Sequence, residues 1–260
     1  MEHLYFEIQG LIWQARALQQ QDALLINQQI IQHQGLITQR HIFDLNTAWH
    51  ISLADRVSQS PHAAQASTSI LSLVSEAYQH SHLLNFSDLQ TQFSQHFSAS
   101  AQAFGSSTTL VTVRHEQQHF LNVQHLGNSR AYLYSLANTS SKWHCLTCDH
   151  TYLEQLRRQG ELKDGEHYSS VYDMLTDYFC ADPTHVIEHH THREEYLTEH
   201  EAILLCSDGV HDILASHAWP DLAPDMPLKT WLMNMKDQLN QLKAYDNSSI
   251  VIARLTQQNK

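Results

Sequence analysis

The middle of the sequence constrains the fold most, because it consists of consecutive β-type segments separated by short turns. Thr108–Arg114 is rich in β-branched residues, Phe120–His125 alternates apolar and polar side chains, and Ala131–Leu136 is aromatic. Trp143–Thr147 is a candidate fourth strand. Since short turns join antiparallel neighbours, this region predicts an antiparallel meander.

The flanking regions add helices and further strands in separate blocks. Helical periodicity or capping signals, including Ser87 as an N-cap, predict helices at Pro61–Tyr78, Phe86–Ala103, Tyr152–Gln159, Val210–Ala215 and Leu228–Leu242. Further strands are predicted at Asp22–Ile31, His41–Asp44, Trp49–Ala54, Ala202–Cys206 and Ser249–Leu255. Segregated blocks without a linker predict one α+β domain over residues 1–260, with largely antiparallel sheets.

Charge and hydropathy narrow the classes of function. The formal net charge is −12 and no basic stripe occurs, which argues against a nucleic-acid partner. No run of apolar residues is long enough to predict a membrane span. The N-terminal residues lack the basic and then apolar pattern of a signal peptide, so we expect a cytoplasmic protein.

The cysteines and histidines leave alternatives open. Cys145 and Cys148 form a lone CxxC pair, which could bind zinc or act in redox chemistry, although two ordinary thiols are the favoured interpretation. Cys206 lies in an apolar run and predicts core packing. Four histidines lie close together in sequence and could bind a metal: His185, His189, His190 and His192. However, the chain has 21 histidines in all, spread along its length, so composition alone is the alternative explanation of the cluster.

Four aspartates stand at the ends of β-type segments. Asp22 opens one segment, Asp55 and Asp208 each follow one, and Asp246 precedes the last. A carboxylate just beyond a strand projects from the edge of the sheet. If these four converge, they form an oxygen-rich site for Mg²⁺ or Mn²⁺, and two bridged ions could clamp a phosphoryl group. The alternative is that each aspartate caps a turn.

Five segments occur in the order of motifs found in metal-dependent serine/threonine protein phosphatases of type 2C. The segments are GSSTTLV, HLGNSRAYLY, CDHTYLEQLRRQGEL, ILLCSDGVHDIL and DNSSIVIARL, between Gly105 and Leu255. Earlier in the chain, LADRVSQSPHAAQAS and QARALQQQDALL resemble the family's N-terminal motifs less closely. The resemblance to bacterial members implies two packed antiparallel β-sheets flanked by helices, an α-β-β-α sandwich.

The resemblance also implies a cofactor and its ligands. Two Mn²⁺ or Mg²⁺ ions would be bridged by Asp55, and the second ion would be bound by Asp208 and Asp246. The backbone carbonyl of Arg56 would complete the first site. Asp22 would act through a metal-activated water.

The implied activity is hydrolysis of phosphoserine or phosphothreonine on proteins. Arg16 would bind the substrate phosphate, because a guanidinium can grip phosphate through two hydrogen bonds. A flap beside the site would span residues 160–185. The partner would be a phosphorylated protein, with the activity opposing a serine/threonine kinase.

Several motif positions depart from the family pattern. The glycines of DGxGG are absent from Asp55–Gln59, and Arg56 is either a solvated arginine or a second candidate for the phosphate. Asn128 replaces the aspartate of GDSR, so a third metal would bind only weakly there, unless Asn128 simply completes a turn. These departures support an alternative function: a weak or inactive relative that binds phosphoproteins.

Overall fold

The computed structural model of the protein describes residues 4–33, 36–57, 60–80, 83–98, 100–136, 142–162 and 168–257. In chain order its strands are β1 (Leu4–Trp13), β2 (Ala23–Ile26), β3 (Gln29–Ile31), β4 (Leu36–Ile37), β5 (His41–Asp44), β6 (Trp49–Ala54), β7 (Ser107–Thr108), β8 (Leu110–His115), β9 (Phe120–Leu126), β10 (Arg130–Tyr134), β11 (Trp143–Cys145), β12 (Phe179–Cys180), β13 (Thr191–Tyr196), β14 (Ala202–Cys206) and β15 (Ser248–Gln257). Its α-helices are α1 (Ala63–Ala77), α2 (Phe86–Phe97), α3 (Tyr152–Gln159), α4 (Asp208–His211) and α5 (Leu228–Gln241).

The strands form two large sheets. Sheet A has the order β11-β10-β14-β15-β1-β4, with β5 also paired to β1. Sheet B has the order β13-β9-β8-β6-β2-β3, and β7 and β12 form a small ribbon. Every pairing among these described strands is antiparallel, as the meander predicts.

The two sheets pack face to face and carry helices on their outer faces. The core between the sheets contains apolar residues from both, among them Phe6, Trp49 and Val251. A second cluster packs α5 against the outer face of sheet A, and a third packs α1 and α2 against the outer face of sheet B. The predicted α-β-β-α architecture is therefore confirmed.

The middle of the central strand β15, residues 250–253, is continuously apolar because both of its faces are covered. Val251, Ala253 and Leu255 enter the core between the sheets, while Ile250 and Ile252 face α5 on the other side. A strand covered on both faces needs apolar side chains at every position rather than at alternate ones.

Several predicted boundaries need correction. Asp22–Ile31 is a hairpin of two strands rather than one, and its turn is made by Asn27 at a φ of 51°. Helix α2 ends at Phe97, well before the predicted end at Ala103. Its N-cap is Asn85, whose side chain accepts two backbone N–H groups, and the prediction of Ser87 was wrong.

Two of the longer strands, β1 and β13, were not predicted, and neither were the two-residue strands β4 and β12. β1 has the sequence LYFEIQGLIW, in which apolar and polar residues alternate from Phe6 to Gln9, a strand signal that the sequence analysis did not use. β13 has the sequence THREEY and pairs with β9 at the edge of sheet B, where most of its side chains meet solvent. Among the described residues, no helix has the length and apolarity needed to cross a membrane.

Gly209 allows α4 to lie directly against the loop that precedes β15. A Cβ atom added at Gly209 would come within 2.0 Å of the Asn247 carbonyl oxygen. Backbone atoms cannot be moved aside as a flexible side chain can. The glycine of the SDG motif is therefore required by the close approach of two backbone segments.

We expect Gly209→Ala to lower the free energy of unfolding by at least about 3 kcal/mol, because the added methyl forces α4 and the loop apart. Gly160→Ala is the control: it meets no atom within 4 Å and carries only the strain of a φ of +73°, about 1–2 kcal/mol. Urea denaturation of both variants tests this, and equal losses would contradict the collision.

Candidate metal centre

The register of sheet B brings two of the four aspartates together. β2 pairs with β6 so that Ala23 lies opposite Ala54. Asp22 precedes the first of these residues and Asp55 follows the second. In an antiparallel pair these two positions are neighbours, so the register alone places Asp22 beside Asp55.

Sheet A brings the other two aspartates to the same end of the sandwich. β14 pairs with β15 with Cys206 opposite Ile250. Asp208 follows β14 at the start of α4, and Asp246 lies shortly before β15. The carboxyl group of Asp55 reaches both Asp22 and Asp208. The four predicted residues thus lie at one site, with Asp55 joining the contributions of the two sheets.

The Asp22 carboxylate is buried and has no cationic partner among the described residues. Its exposed fraction is 0%, and neither of its oxygens accepts a hydrogen bond of ordinary geometry. Oδ2 of Asp55 is also buried and unpaired. Ser207 and Ser249 lie beside Asp22, and the sequence analysis did not single them out.

Burial and mutual repulsion shift the titration of these carboxyl groups. Burial raises the pKa of Asp22 to about 6, with the charge of Asp208 acting in the same direction. Burial, followed by the charges of Asp208 and Asp22, raises the pKa of Asp55 well above its usual value. Burial also raises the pKa of Asp208. Without a cation, the cluster therefore holds protons near neutral pH.

The fourth aspartate has a partner within the protein. Nη2 of Arg56 donates to both oxygens of Asp246, at 2.9 and 2.8 Å. Burial disfavours the charged guanidinium, but Asp246, with smaller contributions from Asp55 and Asp208, outweighs this effect and raises the pKa of Arg56. Arg56 is therefore part of the site through its side chain, rather than a solvated surface residue.

The backbone at Asp55 and Arg56 is held by the neighbouring strand. The Asp55 carbonyl accepts from the Thr109 N–H at 2.9 Å and from the Thr108 hydroxyl at 2.7 Å. Arg56 forms a β-bridge with Thr108 and does not adopt a positive φ. The glycine found here in the family pattern is consequently not needed to orient Asp55. Residues 58–59 of the same motif lie outside the described residues.

Asn128 donates to the cluster. Its Nδ2 atom lies 2.9 Å from Oδ2 of Asp208, an orientation that follows from the hydrogen bond it makes. A side chain that turns its N–H₂ group toward Asp208 does not present an oxygen to a cation beside that carboxylate. This contact does not test the third metal, which remains a prediction.

Asn247 fastens the loop that leads to Asp22. Its Nδ2 atom donates to the carbonyls of Gln14 and Gln19, and its Oδ1 atom accepts the N–H of Gln21. Asn247 is 1% exposed. The residue after the last aspartate thus positions the first one, although the sequence offered only the Asp-Asn pair as a signal. Arg16 lies in this loop, with an exposed side chain.

The donor chemistry of the cluster fits one hard cation better than two. Asp22 and Asp55 offer unpaired, buried oxygens, which are the ligands that Mg²⁺ and Mn²⁺ prefer. Asp246 is already bound by Arg56. Within the described part of the chain, no three His, Cys, Asp or Glu side chains are arranged as a ready metal-binding group. The carboxylates would have to lose protons and draw together around an ion.

The histidine segment does not form a shared site. His185 bonds the Tyr178 carbonyl, His189 faces Asp177, His190 packs on Phe86, and His192 lies near Asn122. Their ring nitrogens therefore serve separate structural contacts.

The cysteines are free thiols. The Cys148 thiol contacts Glu154 and the Cys145 thiol contacts the Thr147 carbonyl, while Cys206 is fully buried as expected. Of the predicted flap at 160–185, residues 163–167 lie outside the described residues.

Comparison with solved structures finds the same fold in serine/threonine phosphatases. Serine/threonine phosphatase Stp1 from Staphylococcus aureus superposes with a TM-score of 0.76 at 15% identity, over 95% of this chain and 94% of that one. The serine/threonine phosphatase of S. agalactiae gives 0.73 at 16% identity, over 96% and 99%. The catalytic domain of phosphatase PstP, in complex with two manganese ions, gives 0.70 at 15%, over 97% and 99%.

The chain has the type 2C phosphatase fold. No protein-family model matches the sequence, and the comparison with curated proteins also gives no match. At these identities the likeness establishes the fold and leaves the chemistry of the site to be argued from its own residues.

We expect Asn247→Ala to lower the free energy of unfolding by about 1–3 kcal/mol, because three part-buried hydrogen bonds are lost. The Gln14 carbonyl keeps the Ala17 N–H and the Gln21 N–H keeps the Gln20 side chain, so the Gln19 carbonyl bears most of the loss. Amide hydrogen exchange should quicken within residues 14–21. Asn240→Ala on the exposed face of α5 is the matched control and should change neither measurement. Normal exchange in the loop of Asn247→Ala would show that Asn247 does not fasten it.

We expect Asp22→Asn to stabilise the metal-free protein increasingly as pH rises from 4 to 7. The folded-state pKa of Asp22, about 6, is above its ordinary value of 3.8, so its favourable contribution is complete below the unfolded pKa and is lost as pH rises through 6. Asparagine stays neutral throughout. Thermal unfolding in EDTA measures the difference in Tm, and a difference that shrinks with pH would contradict the assignment.

Proposed function

We propose that the chain is a divalent-cation-dependent phosphatase acting on phosphoserine or phosphothreonine of proteins. The observation that carries the proposal is the fully buried carboxylate of Asp22, which has no cationic partner among the described residues and lies beside Asp55 and Asp208. Buried carboxylates in contact are costly unless a cation neutralises them. A structural role alone gives no reason to keep them together, whereas a cation-dependent hydrolase requires them.

The cation would be held by Asp22 and Asp55, with Asp208 beside them. When bound, it would supply positive charge toward the phosphoryl group and acidify a water molecule. Binding of the cation would release the protons that burial keeps on Asp22 and Asp55 near neutral pH.

Arg56 is the better candidate for orienting the substrate phosphate. Its hydrogen bonds to Asp246 use only Nη2. Among the described residues, Nε and Nη1 therefore have no hydrogen-bond partner. A guanidinium can bind carboxylate on one edge and phosphate on another. Arg16 is exposed in the loop fastened by Asn247 and is the second candidate.

The proposed substrate is a phosphorylated protein, with the activity opposing a serine/threonine kinase. The similar structures are serine/threonine phosphatases, which supports this class of substrate. The net charge of −12 offers no general attraction for phosphate. Recognition of the phosphoryl group must therefore come from local cations at the site.

Metal-stripped protein should release phosphate from a phosphothreonine peptide only after Mn²⁺ or Mg²⁺ is added. Asp55→Asn should reduce the rate by about 100-fold or more, since it removes the group that joins the two pairs of carboxylates. Asp237→Asn, at an exposed position on α5, should leave the rate unchanged. Equal rates for Asp55→Asn and wild type would exclude this site as the source of activity.

A second function is favoured by the contact between Arg56 and Asp246. If this ion pair prevents turnover, the chain would bind phosphoproteins without hydrolysing them. The same peptide distinguishes the two functions. Binding that depends on the phosphate and on Arg56, with no phosphate release at any Mn²⁺ concentration, would support the binding function and contradict the enzyme.

A further inference from the structure

The ion pair between Arg56 and Asp246 has a consequence for the number of cations in the site. We propose that the Arg56 guanidinium is a permanent cation that takes the place of a second divalent ion at Asp246, so that the protein binds one divalent cation. The inference rests on the proposed function only for the presence of a cation at Asp22 and Asp55.

The carboxylate of Asp246 is already well supplied with donors. Oδ1 accepts from Arg56 and from the Asn247 N–H, at 2.9 and 2.8 Å, and Oδ2 accepts from Arg56 at 2.8 Å. A divalent ion would have to displace the guanidinium from both oxygens. The side chains of Arg56 and Asp246 are each only 24% exposed, so water replaces the lost contacts poorly.

The guanidinium also has the advantage of being attached. The backbone that carries Arg56 is held through the bridge to Thr108 and through the bonds to the Asp55 carbonyl. Arginine remains charged at every pH of interest. A tethered charge loses no translational freedom when it meets the carboxylate, whereas an ion from solution does.

The charge balance agrees with a single divalent ion. One divalent ion and one guanidinium together nearly neutralise the four carboxylates. A second divalent ion would change the net charge of these groups from −1 to +1, so neutrality alone does not call for a second ion. Asn128, which donates to Asp208 at 2.9 Å, adds a neutral donor where further negative charge would favour another cation.

The single cation has a defined place. Asp22 is fully buried with both oxygens unpaired, and Oδ2 of Asp55 is unpaired beside it. Asp246, by contrast, has no unpaired oxygen. At Asp246 the positive charge is supplied by Arg56. Asp22 has no such partner among the described residues, so the cation belongs there.

Counting the bound Mn²⁺ tests the inference without reference to catalysis. Isothermal titration of the metal-free protein, with electron paramagnetic resonance of free Mn²⁺, should give one tight ion for wild type and two for Arg56→Ala. The double variant Arg56→Ala with Asp246→Asn should return to one. Arg157→Ala, an exposed arginine on α3, is the control and should bind one.

A further variant keeps the test decisive if Arg56→Ala does not fold. Asp246→Asn preserves the shape of the side chain, and the inference requires it to bind the same single Mn²⁺ as wild type. Two ions on wild type with one on Asp246→Asn would overturn the inference. Equal numbers of bound ions on folded Arg56→Ala and on wild type would also overturn it, and so would the absence of a bound ion on wild type. None of these counts depends on phosphate release, so inactivity toward phosphopeptides leaves the inference testable.

Discussion

The insertion of β15 between β14 and β1 is the constraint on which the rest of the structure depends. It joins the two ends of the chain, since β15 pairs with β1 from Leu4 opposite Gln257 to Trp13 opposite Ser248. It contributes side chains to the core between the sheets and to the core under α5. The residues just before it, Asp246 and Asn247, complete the aspartate cluster and fasten the loop that carries Asp22. Because these contacts span nearly the whole sequence, the site can form only after most of the chain has been ordered.

Buried carboxylates have a cationic partner at one place in the sandwich and lack one at another. Glu7 and Arg254 lie opposite each other in the register and form an ion pair at 2.7 Å, with Arg40 on the second carboxylate oxygen. At the other place, Asp22 and Asp55 are buried without any such partner. The same fold thus satisfies one set of carboxylates internally and leaves another set unsatisfied. This contrast supports the proposal that the aspartate cluster is a binding site, since unpaired buried charge persists where a ligand compensates for it.

Much of the fold and part of the site could be predicted from the sequence, because both follow from strands and their ends. The β-type segments between Thr108 and Cys145 form strands, and the four aspartates converge because antiparallel registers place strand ends together. The destination of the Arg56 side chain could not be predicted, since its partner lies 190 residues away and its direction depends on how the two sheets face each other. The role of Asn247 could not be predicted either, because the residues that it binds lie 226 to 233 positions earlier in the sequence.

The replacement of glycine by arginine at position 56 acts through charge rather than through backbone geometry. Had the chain required a left-handed conformation here, arginine would have displaced Asp55 from the cluster. Instead φ is not positive and Thr108 and Thr109 hold the backbone, so Asp55 keeps its contacts with Asp22 and Asp208. What the substitution introduces is a side chain long enough to reach Asp246. The departure from the phosphatase motif therefore preserves the carboxylates while supplying one of their counter-charges from within the chain.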